Sequence, residues 1–450
     1  MKANRTNKNV LARAAFSPKA PEDLQNLDIP ESLVEDLMLR RLYTIGSSSI
    51  NSLCFSLKLS FPVIHSIFER LRKRQLIIVT GMEGNDYTFT LSEAGRQLAA
   101  TRFDMCHYSG PAPVSVRSYR AAVKSQVSKV TLKRQLLKEA LSDLVLTDGF
   151  LDELGPAIVS QTSLFLYGPT GNGKTSVAES LHRVYQDSIL IPYAVEFDGQ
   201  IIVLYDPVIH QKVKTDYNGT DPRWLECIRP CISVGGELEP NMLELQFDES
   251  SKIYAAPLQM KANNGMLIID DFGRQVISPR YLLNRWIVPL DRRVDYLTLR
   301  YGVKFQIPFE MLVVFSTNLE PKELAEEAFL RRIQNKVYVG AVDAQVFSGI
   351  FRRIVAEKNL KCKVESAEVL RRLCIDLGGK ELRACYPADI LNILISICRY
   401  DERPVEISRA NLERAATLYF TKTMTMHQEP LKKSDENIFN NKQDRLVTDQ

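Results

Sequence analysis

The strongest chemical signal lies in the middle of the chain. Gly168-Pro169-Thr170-Gly171-Asn172-Gly173-Lys174-Thr175 has the spacing G-x-x-x-x-G-K-T, the pattern of a phosphate-binding loop. Its flanks are of the required kind: the apolar run Ser163–Tyr167 before it reads as a strand, and Ser176–Tyr185 after it as a helix. Glycines let backbone N–H groups converge on phosphate oxygens, and a following helix aims its positive end at the same point. In this arrangement Lys174 would reach the β- and γ-phosphates and Thr175 would place its hydroxyl on Mg2+, with Ser176 completing the loop.

Phosphate chemistry also needs acids on a buried strand. Met266–Ile269 supplies four apolar residues and ends in Asp270 and Asp271. Asp270 would help to hold Mg2+, and Asp271 would polarise the attacking water. A third apolar run, Met311–Phe315, ends in Ser316-Thr317-Asn318, where the Asn318 amide could orient that water. Glu326–Ile333 reads EEAFLRRI. Its Arg331 and Arg332 follow the third strand, suiting a guanidinium that reaches a neighbouring subunit rather than its own nucleotide. Arg383 stands just ahead of an apolar helical stretch in Lys380–Leu394.

These parts in this order resemble the AAA+ ATPase superfamily over residues 135–425. The resemblance makes Gly168–Thr175 the Walker A motif, Met266–Asp271 Walker B, Asn318 sensor 1, Arg331 or Arg332 the arginine finger and Arg383 sensor 2. It implies ATP and Mg2+ as ligands, ATP hydrolysis, and a homo-oligomeric ring, a hexamer, as the active state. Stretches such as Asp271–Gln275, Leu283–Leu290 and Phe329–Ile333 are similar to bacterial AAA family ATPases described as having chaperone activity, which also carry an N-terminal winged-helix-like region. Asp271 stands where most members have Glu, so slow turnover is an expectation. The glycine usual before the sensor 2 arginine is missing. Lys174 and Asp270 are 96 positions apart, a long insert that includes the strand-like Ala194–Tyr205. Asp295–Arg300 and Val303–Ile307 form a second candidate hairpin. Such additions resemble the branch with MoxR-type chaperones, magnesium chelatase subunits and enhancer-binding activators, where hairpins project toward the pore or client.

The elements that must position these residues imply an α/β protein: a P-loop parallel-sheet core with a C-terminal helical lid, preceded by a small winged-helix domain. The expected divisions are a flexible segment over 1–27, a winged-helix-like domain over 28–104 and a basic linker over 105–138. An ATPase core over 139–340, a helical lid over 341–427 and a disordered tail over 428–450 complete the chain. The first domain rests on three helical stretches, the candidate hairpin Leu76–Leu91 and a final helix from Ser92. Arg70, Arg72, Lys73 and Arg74 end its third helix, suiting either duplex DNA or a protein-docking face.

Composition sets outer limits. The chain has 450 residues, 45% hydrophobic and 25% charged, with 58 basic against 54 acidic side chains. That balance permits DNA contact without arguing for it. No apolar run approaches the roughly 20 residues of a membrane span, so membrane insertion is not expected. Met1–Lys19 lacks the apolar core of a secretory signal. Eight cysteines without a CxxC pair suggest free thiols in a reducing cytoplasm. The expected function is ATP-driven remodelling of a macromolecular client, a protein first; a DNA-associated loader or regulator, or a slow nucleotide switch, stands as the alternative.

Overall fold

Helical spacing puts Leu33, Val34, Leu37 and Met38 on one face of α1 (Glu31–Ile45), and all four are buried. A short strand β1 (Ser47–Ser49) leads into α2 (Ile50–Leu57) and α3 (Phe61–Lys73). Pro62 sits in the first turn of α3, where its missing N–H leaves no bond unmade. Val63, Ile64, Ile67, Phe68 and Leu71 are buried from the same helix. β2 (Ile77–Glu83) and β3 (Asp86–Leu91) pair antiparallel, and β1 pairs with the other edge of β3. α4 (Glu93–Met105) follows. This computed structural model describes residues 16–84, 86–127, 133–213, 219–324 and 330–420. The expectations for residues 1–15 and for the tail beyond 420 lie outside that range. The described chain divides between Ala341 and Val342 into two units.

Residues 105–138, read as a basic linker that is either solvated or the exposed face of a helix, are partly built into the core where they are described, residues 128–132 lying outside the described range. β4 (Val114–Ser115) joins a sheet, and α5 (Val116–Ser125) buries Tyr119, Ala122 and Val123. Those three recur at i, i+3 and i+4, one helical face, while Arg117, Arg120 and Lys124 occupy the other. The basic residues are the outer face of a packed helix.

α6 (Arg134–Ala140) and α7 (Asp148–Val159) lead into β5 (Ser163–Tyr167), the glycine-rich loop 168–173 and α8 (Lys174–Leu181). A long insert then begins. β6 (Ser188–Pro192) pairs with β9 (Trp224–Ile228), and β7 (Ala194–Phe197) turns at Asp198-Gly199 into β8 (Gln200–Val203). The single strand-like stretch Ala194–Tyr205 is thus a tight hairpin. β10 (Cys231–Val234) enters the main sheet, and β11 (Gln246–Asp248) and β12 (Ile253–Ala255) extend the smaller one to β11-β12-β8-β7-β4. β13 (Met266–Ile269), the hairpin β14 (Val294–Thr298)–β15 (Lys304–Pro308), β16 (Leu312–Thr317) and β17 (Asn335–Tyr338) complete this unit's strands among the described residues.

The main sheet has the order β10-β13-β16-β5-β17 with every neighbouring pair parallel. Alternate side chains leave its two faces. Leu164, Leu166, Met266, Ile268, Leu312 and Val314 pack with α6, α7 and α8, whereas Phe165, Leu267, Ile269, Val313 and Phe315 pack with Phe272 and Trp286. Covering both faces explains why these strands are continuously apolar. The sheet's carboxyl ends all open on one edge, the usual ligand edge of such folds.

Among the described residues the second unit has four helices: α9 (Ala344–Glu357), α10 (Ser366–Gly378), α11 (Tyr386–Tyr400) and α12 (Arg409–Tyr419). Phe347, Phe351, Leu370, Ile390, Leu394 and Leu412 form its core. No helix among the described residues is long and apolar enough to cross a membrane.

Candidate nucleotide site

β5 ends at Tyr167, and the chain turns at once through Gly168, whose φ is 135°. A side chain there would bring its Cβ within 2.5 Å of the Val339 carbonyl oxygen, so only glycine permits this close approach. Gly171 and Gly173, with φ of 80° and 84°, carry the loop back to α8. Thr170 is at the surface, Pro169 is half-buried and Asn172 is buried. Ser176 is exposed in the first turn of α8.

Lys174 is buried, and its ammonium donates to the Gly168 and Pro169 carbonyls, each at 2.9 Å. Burial lowers its pKa, against the opposing pull of Asp271 and Asp270.

Thr175 Oγ1 donates to Asp270 Oδ2 at 2.8 Å. This bond joins the loop to β13 although the two strands are not neighbours, because β16 lies between β13 and β5. The intervening strand is the one that ends just before Asn318. Asn318 Nδ2 donates to Asp271 Oδ1 at 3.3 Å. Loop, acids and amide thus meet at one sheet edge. Two hard oxygen donors at hydrogen-bond distance, Thr175 and Asp270, suit Mg2+, which takes few protein oxygens and otherwise water or phosphate.

Arg331 and Arg332 lie at the opposite end. β17 pairs Asn335 with Leu164 and Tyr338 with Tyr167, so residues before Asn335 extend beyond the amino edge. The strand alone separates that edge from Gly168 by about 13 Å at roughly 3.3 Å per residue. Arg332 is held by Asp291 at 2.8 Å, and Arg331 is exposed. The preceding residues 325–329 lie outside the described range. Arg383 belongs to the second unit, half-buried in the segment before α11, and its sensor 2 role stays an expectation.

The hairpin β14–β15 is not a free projection. Leu297, Leu299, Phe305 and Ile307 are buried with Val195, Ile202 and Trp224 in the core of the smaller sheet. Its tip touches the β7–β8 turn, where Tyr301 donates to Asp198 Oδ2 at 2.8 Å. In the N-terminal region the basic end of α3 is largely paired. Arg70 meets Glu31 at 2.6 Å, Arg72 meets Glu69 at 3.5 Å, and Arg74 is bonded to Glu35.

Two residues that the motif reading passed over hold the acidic turn. Gln275 Oε1 accepts from the Gly273 N–H at 2.8 Å, while its Nε2 donates to the Asp270 carbonyl at 2.7 Å. Thr317 Oγ1 donates to the Phe272 carbonyl at 2.7 Å. Neither has a spacing signature, since both bond to main chain.

Comparison with known proteins adds little. Residues 343–418 match a family described as "Domain of unknown function (DUF8689)". No curated protein matches the chain. Among solved structures, a mutant of RuvB from Thermotoga maritima is similar at 10% identity, TM-score 0.36, over 64% of this chain and 70% of that one. A second, titled as the Thermotoga maritima RuvB Holliday junction branch migration motor, gives 12% identity, TM-score 0.34 and coverage of 65% and 72%.

Proposed function

We propose that this protein binds ATP with Mg2+ and hydrolyses it as an AAA+-type ATPase, using ring assembly to remodel a protein client. The observation that carries the reading is the bond between Thr175 and Asp270, with the Asn318–Asp271 pair beside it. It brings a phosphate cradle, a pair of metal-binding oxygens and a water-positioning pair to one sheet edge.

Bound Mg2+ would neutralise phosphate charge and act as an electrophile toward the phosphoryl oxygens. Thr175 and Asp270 would hold it. Lys174 would exchange its two carbonyl partners for phosphate oxygens, the stronger charge-assisted bond. Asp271 would take a proton from water as that oxygen attacks the γ-phosphorus and the bond to ADP breaks, with Asn318 fixing the acid's direction. Arg331 or Arg332, both beyond the amino edge of the sheet, would supply a finger acting on a neighbouring copy, and Arg331 is the more exposed of the two. Arg383 is assigned the sensor 2 role on the resemblance alone.

The choice of a protein client rests on α3. Glu31, Glu35 and Glu69 beside its arginines would repel DNA phosphates, so the winged-helix-like region suits protein docking better than a duplex. The test is ATP turnover per subunit as protein concentration rises, with Lys174→Ala as control. Turnover should climb with concentration and tight ATP binding should vanish in the variant. Unchanged turnover in Lys174→Ala would refute the assignment.

A further inference from the structure

The turn that presents the two acids is unusually well determined. Asp271 has φ of 48°, a left-handed conformation that side-chain-bearing residues rarely adopt without support. Its neighbours are tied to strands on both sides. Asp270 N–H donates to Val234 of β10 at 2.8 Å, and Phe272 N–H donates to Ser316 of β16 at 2.7 Å. The Phe272 ring is buried against Phe165 and Phe315, and its carbonyl accepts from Thr317. Phe272 is therefore anchored by packing and by β16. The peptide groups on either side of Asp271–Phe272 have another source of order. The Asp270 carbonyl and the Gly273 N–H are both satisfied by one side chain, the Gln275 amide.

We propose that Gln275 is a positioning residue of the hydrolytic site: its amide clamps the turn from Asp270 to Gly273 so that the Asp271 carboxylate is held toward Asn318. The proposal rests on the ATPase reading above. A primary amide suits the task because one end accepts and the other donates, matching an N–H and a C=O that face it together. Methionine has similar length and neither function. Glutamate keeps the acceptor but sets oxygen against the Asp270 carbonyl. Without the clamp the Phe272 anchor and the bond from the Arg274 N–H to the Asp271 carbonyl, at 3.0 Å, still hold the fold, but the peptide group between Asp270 and Asp271 loses its partner and the Asp271 carboxylate can swing away from Asn318. Displacement of a reacting group by about 1 Å costs on the order of a hundredfold in rate.

The experiment measures fluorescent-ATP affinity and steady-state ATP turnover for the wild type, Gln275→Met, Asp271→Asn and the double variant. Gln275→Met should keep its nucleotide Kd and KM within about threefold while kcat falls by about ten- to a hundredfold. In the Asp271→Asn background the same change should cost no further turnover, because the clamp acts through Asp271. A purely structural role would instead lower both backgrounds alike, and that result overturns the proposal, as does a Gln275→Met kcat within twofold of wild type. Should Gln275→Met fail to fold, Gln275→Glu takes its place, with the same expected kcat loss and the same refuting result. Wild-type protein that binds no ATP, or binds it without turnover, would overturn the ATPase reading and the clamp together. Normal wild-type turnover with an indifferent Gln275 would overturn the clamp alone.

Discussion

Asp271 stands where a glutamate would be usual in the family this chain resembles, and its backbone supplies a reason. At a φ of 48°, Asp and Asn are among the few side-chain-bearing residues commonly tolerated; for others the left-handed region costs roughly 1–2 kcal/mol. Asp271→Asn should therefore change stability by less than about 0.5 kcal/mol, because the same backbone suits it and its amide oxygen can still accept from Asn318. It can no longer take a proton from water. Losing a positioned base costs about 10²–10⁴ in rate, or roughly 3–5 kcal/mol at 1.36 kcal/mol per decade. Asp271→Glu restores the usual acid yet should lose about 0.5–1 kcal/mol of stability and gain no turnover. Urea unfolding, fluorescent-ATP binding and phosphate release in a single turnover separate these effects. Two results would refute the reasoning: Asp271→Asn keeping a third or more of wild-type turnover, or Asp271→Glu hydrolysing faster at no cost in stability.

The other expectations concern assembly, partner and scaffold. Arg331→Ala should bind ATP normally but lose the rise of turnover with concentration, and it should poison mixtures with wild type; Arg332→Ala, which frees Asp291 at the surface, should do neither. If duplex DNA binds α3, its Arg70, Arg72, Lys73 and Arg74 make up to four phosphate contacts that contribute about −3.6 to the slope of log K against log salt, and neutralising them makes the slope shallower by that amount. The ion pairs to Glu31, Glu69 and Glu35 lead us to expect a slope shallower than about −1 in fluorescence anisotropy, and a slope near −4 would return DNA to first place. Arg223 is buried with Asp221 and also binds Asp28 at 2.8 Å; Arg223→Met should cost about 3–5 kcal/mol in urea unfolding because it strands a buried carboxylate. Burial pushes the Asp28 carboxyl up, but Arg223 with Ser118 and the Ser115 N–H outweighs it, and the net pKa lies below 3.8. Its contribution is present above the unfolded value and lost as pH falls through the depressed one, so Asp28→Asn should lower stability to urea at neutral pH and flatten its decline toward acid, the variant and wild type converging below the depressed pKa.

What could be read from the sequence was local. The loop Gly168–Thr175, the apolar strand ending in Asp270 and Asp271, and the strand ending at Asn318 each lie within a few consecutive residues, where spacing maps directly onto geometry. The alternation of Phe305 and Ile307 located β15, and both bury as alternation requires. The insertion of β16 between the loop strand and the acidic strand was hidden, because sheet order depends on contacts between distant segments. The same limit hid the partners of Arg70 and Arg74, which are 39 residues away on α1. α5 was legible in part: its charges marked an exposed helix face, while Tyr119, Ala122 and Val123, at i, i+3 and i+4, marked the buried one.

The order of the sheet also explains why the site needs Asn318 where it is. With β16 between β5 and β13, the residue after the central strand's end is equidistant in topology from the loop and the acids. Its side chain can bond to Asp271, while the same strand, through Ser316 and Thr317, holds the main chain of the acidic turn. One strand thus orients the carboxylate twice, through its amide and through its backbone. A substitution on β16 that leaves Asn318 intact, such as Thr317→Val, removes the hydroxyl bond to the Phe272 carbonyl and leaves both the Ser316 backbone contact and the Asn318 amide in place. Phosphoryl transfer gains chiefly from positioning and electrostatics rather than covalent help, so under the proposed ATPase reading the main-chain contacts of β16 would belong to the catalytic arrangement as much as the side chain that the motif names.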